Sequence, residues 1–337
     1  MGYAHLFEAN ASTATEQPKI KSTLKQAYGR IERMHEAGRL SLESGISKIF
    51  GESPKDPTVK ACRDASLAIA AKVDSGQDGS SKNAYHNPMH FAKVAMNFME
   101  LAQGHNKTCA PNDRLSSADM ATGVLAALSH DLGHNGKGNM VDGTHKPFHL
   151  EQQSIDIAKG WTADSLKSAP EAQKAFSLIY ATDVSGNPSP AHVVRTWHDY
   201  YFKNAPKPDI KTTPKELIPV VGDRKTTLMA SLLQDADVLH SVLSCSQNAK
   251  ESLYVAEEAK MTMSAAGSQF FLKNLVGGRM TTDVARNVAD GFIKGQMSRN
   301  DKTMAKEAAA KAAQEAKAAK DAKQQTNRGL RLATCAM

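Results

Sequence analysis

Three short stretches of this 337-residue chain concentrate histidine and aspartate. "YHNPMH" (85–90) sets His86 and His90 four residues apart around Asn87-Pro88. "SHDLGHNGKGN" (129–139) places His130 beside Asp131, with His134 one turn later. "LLQDADVLH" (232–240) breaks an apolar run with Asp235 and Asp237. Neutral imidazole and carboxylate together suit Zn²⁺, Mn²⁺ or Fe, and a carboxylate can bridge to a harder ion such as Mg²⁺. His90, His130, Asp131 and one of the two aspartates make a complete set for one ion. His86 is left over beside that set.

The surrounding residues say how these groups could be held. Asn87 is a good N-cap and Pro88 suits the first helical position, where its missing N–H costs nothing. The helix that follows is carried by Phe91, Val94, Ala95, Phe98 and Met99. A second apolar helix runs into Ser129-His130-Asp131. Adjacent residues on a helix point about 100° apart, so both side chains can reach one ion off its end. Gly133, Gly136 and Gly138 permit tight turns beside it. A charge within the third, apolar run is costly unless it is paired or ligates a metal.

The chain as a whole reads as all-α. Helices are expected at 88–103, 117–132, 149–160, 170–182, 190–202, 224–247, 249–263 and 268–276, after earlier ones within 19–51 and 56–73. Gly, Pro and Asn/Asp clusters punctuate them, and no strand pair with hairpin chemistry is evident. Residues 1–20 read as a polar arm and 21–298 as one catalytic-sized helical domain. The tail, 299–337, is Ala/Lys/Glu-rich, with strong helix propensity and almost nothing to bury. It is expected to be an exposed helix or frayed extension, with a partner-binding or homo-oligomerising role possible.

Bulk properties narrow the function classes. The composition, 41% hydrophobic and 23% charged, is that of a globular protein. No apolar run approaches the ~18 residues needed to span a membrane, and no secretory leader is evident, so a cytoplasmic location is expected. The four scattered cysteines form no CxxC pair, which argues against a disulfide framework or a zinc–thiolate site. The net charge of +7 is spread along the chain without aromatic interleaving, and no nucleic-acid partner is expected.

Taken in order, Tyr85-His86-Asn87-Pro88-Met89-His90, then His130-Asp131-Leu132-Gly133-His134-Asn135-Gly136-Lys137-Gly138-Asn139, then Ala181-Thr182-Asp183 and Ala236-Asp237-Val238 resemble the HD superfamily. More closely, they resemble the class I 3′,5′-cyclic nucleotide phosphodiesterases, over about 85–275. The resemblance implies a compact multi-helix catalytic domain with two divalent ions, Zn²⁺ together with Mg²⁺ or Mn²⁺. It assigns His90, His130, Asp131 and Asp237 to the first ion, choosing Asp237 over Asp235, and makes Asp131 the bridge to the second. It implies in-line attack of hydroxide on phosphorus, with His86 as general acid and His134 orienting waters of the second ion. Asn139, Glu151 and Asp183 would be supporting polar neighbours of the ligands.

The same resemblance implies hydrolysis of cAMP or cGMP to the 5′-nucleotide. Two positions depart from the family's usual residues, Lys93 for Asp and Asn135 for Pro. On the substrate side Tyr85, Gln269 and Phe271 are the expected contacts, although the family sets its phenylalanine three residues after the glutamine. An HD-type hydrolase of another phosphoester, such as a nucleotide, a dinucleotide or an ADP-ribosyl linkage, is the alternative. His149, His198 and His240 are further candidates, with structural roles favoured.

Overall fold

The structure, a computed structural model, describes residues 17–51, 54–136 and 138–334. Most of the expected 1–20 arm lies outside the described residues. The helices are α1 (Gln17–Glu36), α2 (Leu42–Phe50), α3 (Pro57–Asp74), α4 (Pro88–Thr108), α5 (Ser117–Ser129), α6 (His149–Leu166) and α7 (Lys174–Ile179). They continue with α8 (Pro190–Lys203), the single turn α9 (Ile218–Val221), α10 (Arg224–Val242), α11 (Cys245–Glu258), α12 (Ala265–Phe270) and α13 (Asp283–Thr334). The all-α expectation is met.

Local chemistry explains the boundaries. Asn87 Oδ1 accepts from the N–H of Met89 at 2.9 Å and of His90 at 3.3 Å, and Pro88 opens α4 as expected. A capping box between Ser116 and Asp119 starts α5. Asp223 caps α10 and Ser244 caps α11. The Ser244 cap splits the expected 224–247 helix at Val242, because its hydroxyl takes the N–H of Gln247. The expected 170–182 helix is instead α7 flanked by 3₁₀ turns at Pro170–Gln173 and Tyr180–Thr182. The expected 268–276 helix is α12 followed by one π turn, Phe271–Leu275.

One element was not expected. Met140–Val141 (β1) pairs antiparallel with Thr144–His145 (β2) around Asp142-Gly143, both at positive φ (49° and 76°). Asp-Gly is a favoured pair for such a turn. Two-residue strands leave no alternation to read, which is why the hairpin escapes notice in the sequence.

The core is organised around α10, which is buried along almost its whole length and packs against α4, α5, α7, α8, α11 and α13. α4 also lies against α5. Their approach is close: a Cβ on Gly123 would fall 1.8 Å from the Phe98 ring. The three stretches singled out above thus sit on mutually packed elements: the start of α4, the end of α5 and the last turns of α10. α13 is packed at its start through Val284, Ala285, Val288, Ala289 and Ile293. It then continues without a break past residue 299, fully exposed over 305–320.

Candidate metal centre and active site

The ends of α4, α5 and α10 bring His90, His130, Asp131 and Asp237 together, with one potential ligand atom from each lying within 4.8 Å of all the others. His90 Nε2 and His130 Nε2 face each other at 3.3 Å. Asp131 Oδ2 lies 3.1 Å from the first and 3.0 Å from the second. Asp237 Oδ1 lies 3.3 and 3.5 Å from the same nitrogens. Both imidazoles are buried, their side chains only 1% exposed.

This donor set fits a cation. His130 Nδ1–H donates to the carbonyl of Ala127 at 2.9 Å, which turns the lone pair of Nε2 toward His90. Two buried imidazole nitrogens aimed at one another between two carboxylates need positive charge between them. Without an ion, protons supply it. Burial alone would lower the pKa of His130, yet the Asp131 and Asp237 carboxylates hold it well above the usual histidine value. Burial likewise pushes Asp237 up, but hydrogen bonds from His130 and His90 outweigh it and leave the carboxyl far below its ordinary range.

Asp235 lies apart from this group. Its carboxylate accepts from the N–H of Thr281 and of Thr282 and from Thr282 Oγ1, each at 2.7 Å. It anchors the entry to α13. Two residues along α10 separate an aspartate facing the histidines from one facing α13.

His86 and His134 form a second group with Asp131. The rings of His86 and His134 lie 3.6 Å apart at 32°. Asn83 Nδ2 donates to the carbonyls of both, at 3.1 and 2.8 Å, tying the two segments together. His86 Nε2 stands 3.9 Å from Asp131 Oδ2, while Nδ1 is hydrogen-bonded to Glu258 Oε1. Glu258 Oε2 also accepts from the backbone N–H of Tyr85 at 2.8 Å and of His86 at 3.0 Å. Burial favours the neutral form of Glu258, but its bonds from His134 and His86 prevail and depress its pKa strongly.

The remaining expected site residues divide. Asn139 Nδ2 donates to Glu151 Oε2 at 3.0 Å, and Asn139 Oδ1 accepts from Leu150 N at 2.7 Å. Asp183 accepts from Phe148 N at 3.0 Å and Ser185 N at 2.7 Å. Burial, reinforced by the Asp183 carboxylate, raises Glu151 to a pKa of about 8. Tyr85 packs its ring against His86 and His90, and its hydroxyl meets His240 Nε2 at 3.1 Å and Ser241 Oγ at 3.2 Å. Its polar end is thus engaged within the protein.

Gln269 is a correction. Its amide donates to Asp301 of α13 at 2.8 Å, and Phe271 packs on the core. Gln269 sits on the last turn of α12, which packs against α13, so its amide is engaged within the protein. His149 is exposed, and His198 is buried against Phe202 and Asp199. Glu258 is the residue that sequence reasoning missed: in "VAEEAK" nothing sets it apart from a solvated helix-surface glutamate. Lys93, on the turn after His90, is fully buried between Glu32 and Glu251 at 2.9 and 2.6 Å.

No family model matches the chain, and no curated protein matches it. Solved structures do. The chain superposes on the phosphodiesterase domain of the RhoPDE fusion protein from the choanoflagellate Salpingoeca rosetta, with a TM-score of 0.50 and 14% identity, covering 88% of this chain and 94% of that one. It superposes equally on LmjPDEB1, solved in complex with IBMX, with a TM-score of 0.50 and 13% identity, covering 90% and 91%. The fold is therefore that of phosphodiesterase catalytic domains. Among the described residues no helix is long and apolar enough to cross a membrane.

Proposed function

We propose that the protein is a metal-dependent phosphodiesterase that opens the 3′,5′-cyclic phosphodiester of cAMP or cGMP to give the 5′-nucleotide. The convergence of His90, His130, Asp131 and Asp237 next to a histidine clamped by Glu258 carries this reading. The ions are expected to be Zn²⁺ at the four-residue set and Mg²⁺ or Mn²⁺ beside Asp131. When bound, such ions supply Lewis-acid stabilisation of phosphoryl oxygens and a water of lowered pKa.

The chain's own residues do the rest. Asp131 belongs to both groups of potential ligands, so it is the side chain able to serve both ions. Glu258 fixes the tautomer of His86 by accepting from Nδ1–H, which leaves Nε2 to deliver a proton to the departing ribose oxygen. His134, its ring beside that of His86, has Nδ1 on the Glu258 side, 3.5 Å from Oε1, and is read as the group that orients solvent ligands of the second ion. Asn139, Glu151 and Asp183 brace the adjacent loop.

A second reading, hydrolysis of another phosphoester, is favoured by one observation. Gln269, the expected reader of the purine, is bonded to Asp301 instead.

The test is release of 5′-nucleotide from cAMP and cGMP by purified protein with Mg²⁺ or Mn²⁺, beside folded His86→Ala and Asp237→Ala variants. Turnover abolished in both supports the reading. A wild-type protein that binds zinc yet cleaves neither cyclic nucleotide rules out the cyclic-nucleotide assignment.

A further inference from the structure

Between the start of α8 and the π turn after α12 lies a cavity of about 440 Å³ that the reaction as read above does not use. Arg195, Lys273, His192, Asn187 and Asn274 supply its polar wall, and among the described residues no carboxylate lines it. The ring of Phe270, 58% exposed, stands at its edge. A chamber of about 20 Å³ shares Arg195 and Leu275 with this cavity and reaches Asp237. Arg195 therefore lies between the expected ion site and the larger space.

The guanidinium is deliberately accommodated. Arg195 Nε donates to Thr281 Oγ1 at 3.2 Å and Nη2 to the carbonyl of Val276 at 2.6 Å. Gly277, at φ +73°, makes the room: a Cβ there would fall 1.6 Å from Arg195 Nη1. Nη1 has no protein acceptor among the described residues, and the exposed Lys273 ammonium makes no hydrogen bond or ion pair among them. Asp235 and Asp237 face Arg195 from the smaller chamber only; on the side of the larger cavity such donor-only cationic groups are suited to an anion, and guanidinium in particular to phosphate or carboxylate.

A 3′,5′-cyclic mononucleotide has its one negative charge on the phosphorus under attack, which would lie at the ions. Nothing in such a substrate would answer the cationic wall. We infer that, besides a cyclic mononucleotide, the site accepts a phosphodiester that carries a second anionic group, a phosphate or carboxylate, seated by Arg195 and Lys273 in this cavity while its scissile phosphodiester faces Asp237. The substrate class is a phosphodiester with a second charged group, as in a 5′-phosphorylated or cyclic dinucleotide. The inference rests on the phosphodiesterase reading, and it adds the second of the two substrate classes given there to the first.

Binding without turnover separates the subsite from the reaction. The full chain in EDTA is titrated calorimetrically with inorganic pyrophosphate. Binding is expected, weakened about tenfold in Lys273→Glu, in keeping with loss of one charge-assisted contact. With Mn²⁺, the same variant should raise KM for 5′-phosphorylated diadenylate about tenfold at unchanged kcat, leaving KM for cAMP and cGMP within about twofold. Arg195→Gln should act in the same direction. If loss of its bonds to Thr281 and Val276 unfolds it, the exposed and unpaired Lys273 still carries the test.

Pyrophosphate that does not bind, or binds equally to Lys273→Glu, overturns the subsite. So does a KM for cAMP or cGMP that rises in step with that for the dinucleotide. Pyrophosphate binding that responds to Lys273→Glu, in a protein that cleaves no phosphodiester with any ion, keeps the anion site and removes the hydrolytic reading.

Discussion

Lys93 Nζ meets Glu251 Oε1 at 2.6 Å with the two side chains 1% and 3% exposed, so a buried ion pair joins α4 to α11. Glu32 of α1 completes it at 2.9 Å, and Gln247 bonds to both glutamates. The pair links the helix whose first turn carries His90 to the helix that ends with Glu258. Removing one partner of a buried pair leaves an uncompensated charge. Lys93→Met should therefore destabilise the protein by about 3–5 kcal/mol, read from urea unfolding. An unfolding midpoint unmoved by the change would show the pair to be dispensable.

Gly123 lets α5 lie against the Phe98 ring of α4, and α5 leads directly into His130 while the first turn of α4 carries His90. Gly123→Ala must part these helices. A stability loss of about 1–3 kcal/mol is expected from overpacking. Zinc affinity, measured by chelator competition, should fall with it, and Phe98→Leu in the same chain should restore part of both.

Glu258→Gln keeps the shape of the contact with His86 but removes its charge. Burial lowers the pKa of His86, and Glu258 is among the groups that oppose this. The variant's His86 should lose its proton at lower pH than in the wild type. As general acid it must be protonated, so the alkaline limb of the kcat profile should move to lower pH, and kcat should drop roughly 10–100-fold. A profile that keeps its limb would assign that limb to another group.

Glu151 supplies a stability test. Its pKa of about 8 exceeds the ordinary 4.5, so the native protein retains a proton that the unfolded chain releases between these values. Stability is thus fully present below about pH 4.5 and is lost as pH rises toward 8, at up to about 1.4 kcal/mol per pH unit. In metal-free protein Glu151→Gln should flatten that decline in Tm. A wild-type Tm that rises over the same interval would contradict it.

The sequence carried the helical architecture because apolar spacing, caps and breakers report local structure, as at Asn87-Pro88 and Ser116. The His/Asp set was legible for a different reason: imidazoles and carboxylates in apolar helices have few other uses. Glu258 was not, since its partner lies 172 residues away and an ordinary surface glutamate looks the same. Gln269 misled because its neighbours suggested a pocket, whereas the packing of α12 on α13 and the Asp301 carboxylate determine where its amide points. Composition changes near 299, but the backbone of α13 does not.

That continuity has a thermodynamic consequence. An isolated Ala/Lys segment must form its first turn unaided, with a nucleation constant of order 10⁻³. Here Val284, Val288 and Ile293, packed in the core, provide that turn in advance. Residues 305–320 need only add hydrogen bonds to an existing helix end, which Ala-rich sequence does at little cost. The tail borrows its order from the body and returns none. Its helicity should vanish when the body unfolds, while cutting it away should leave the body's own unfolding unchanged.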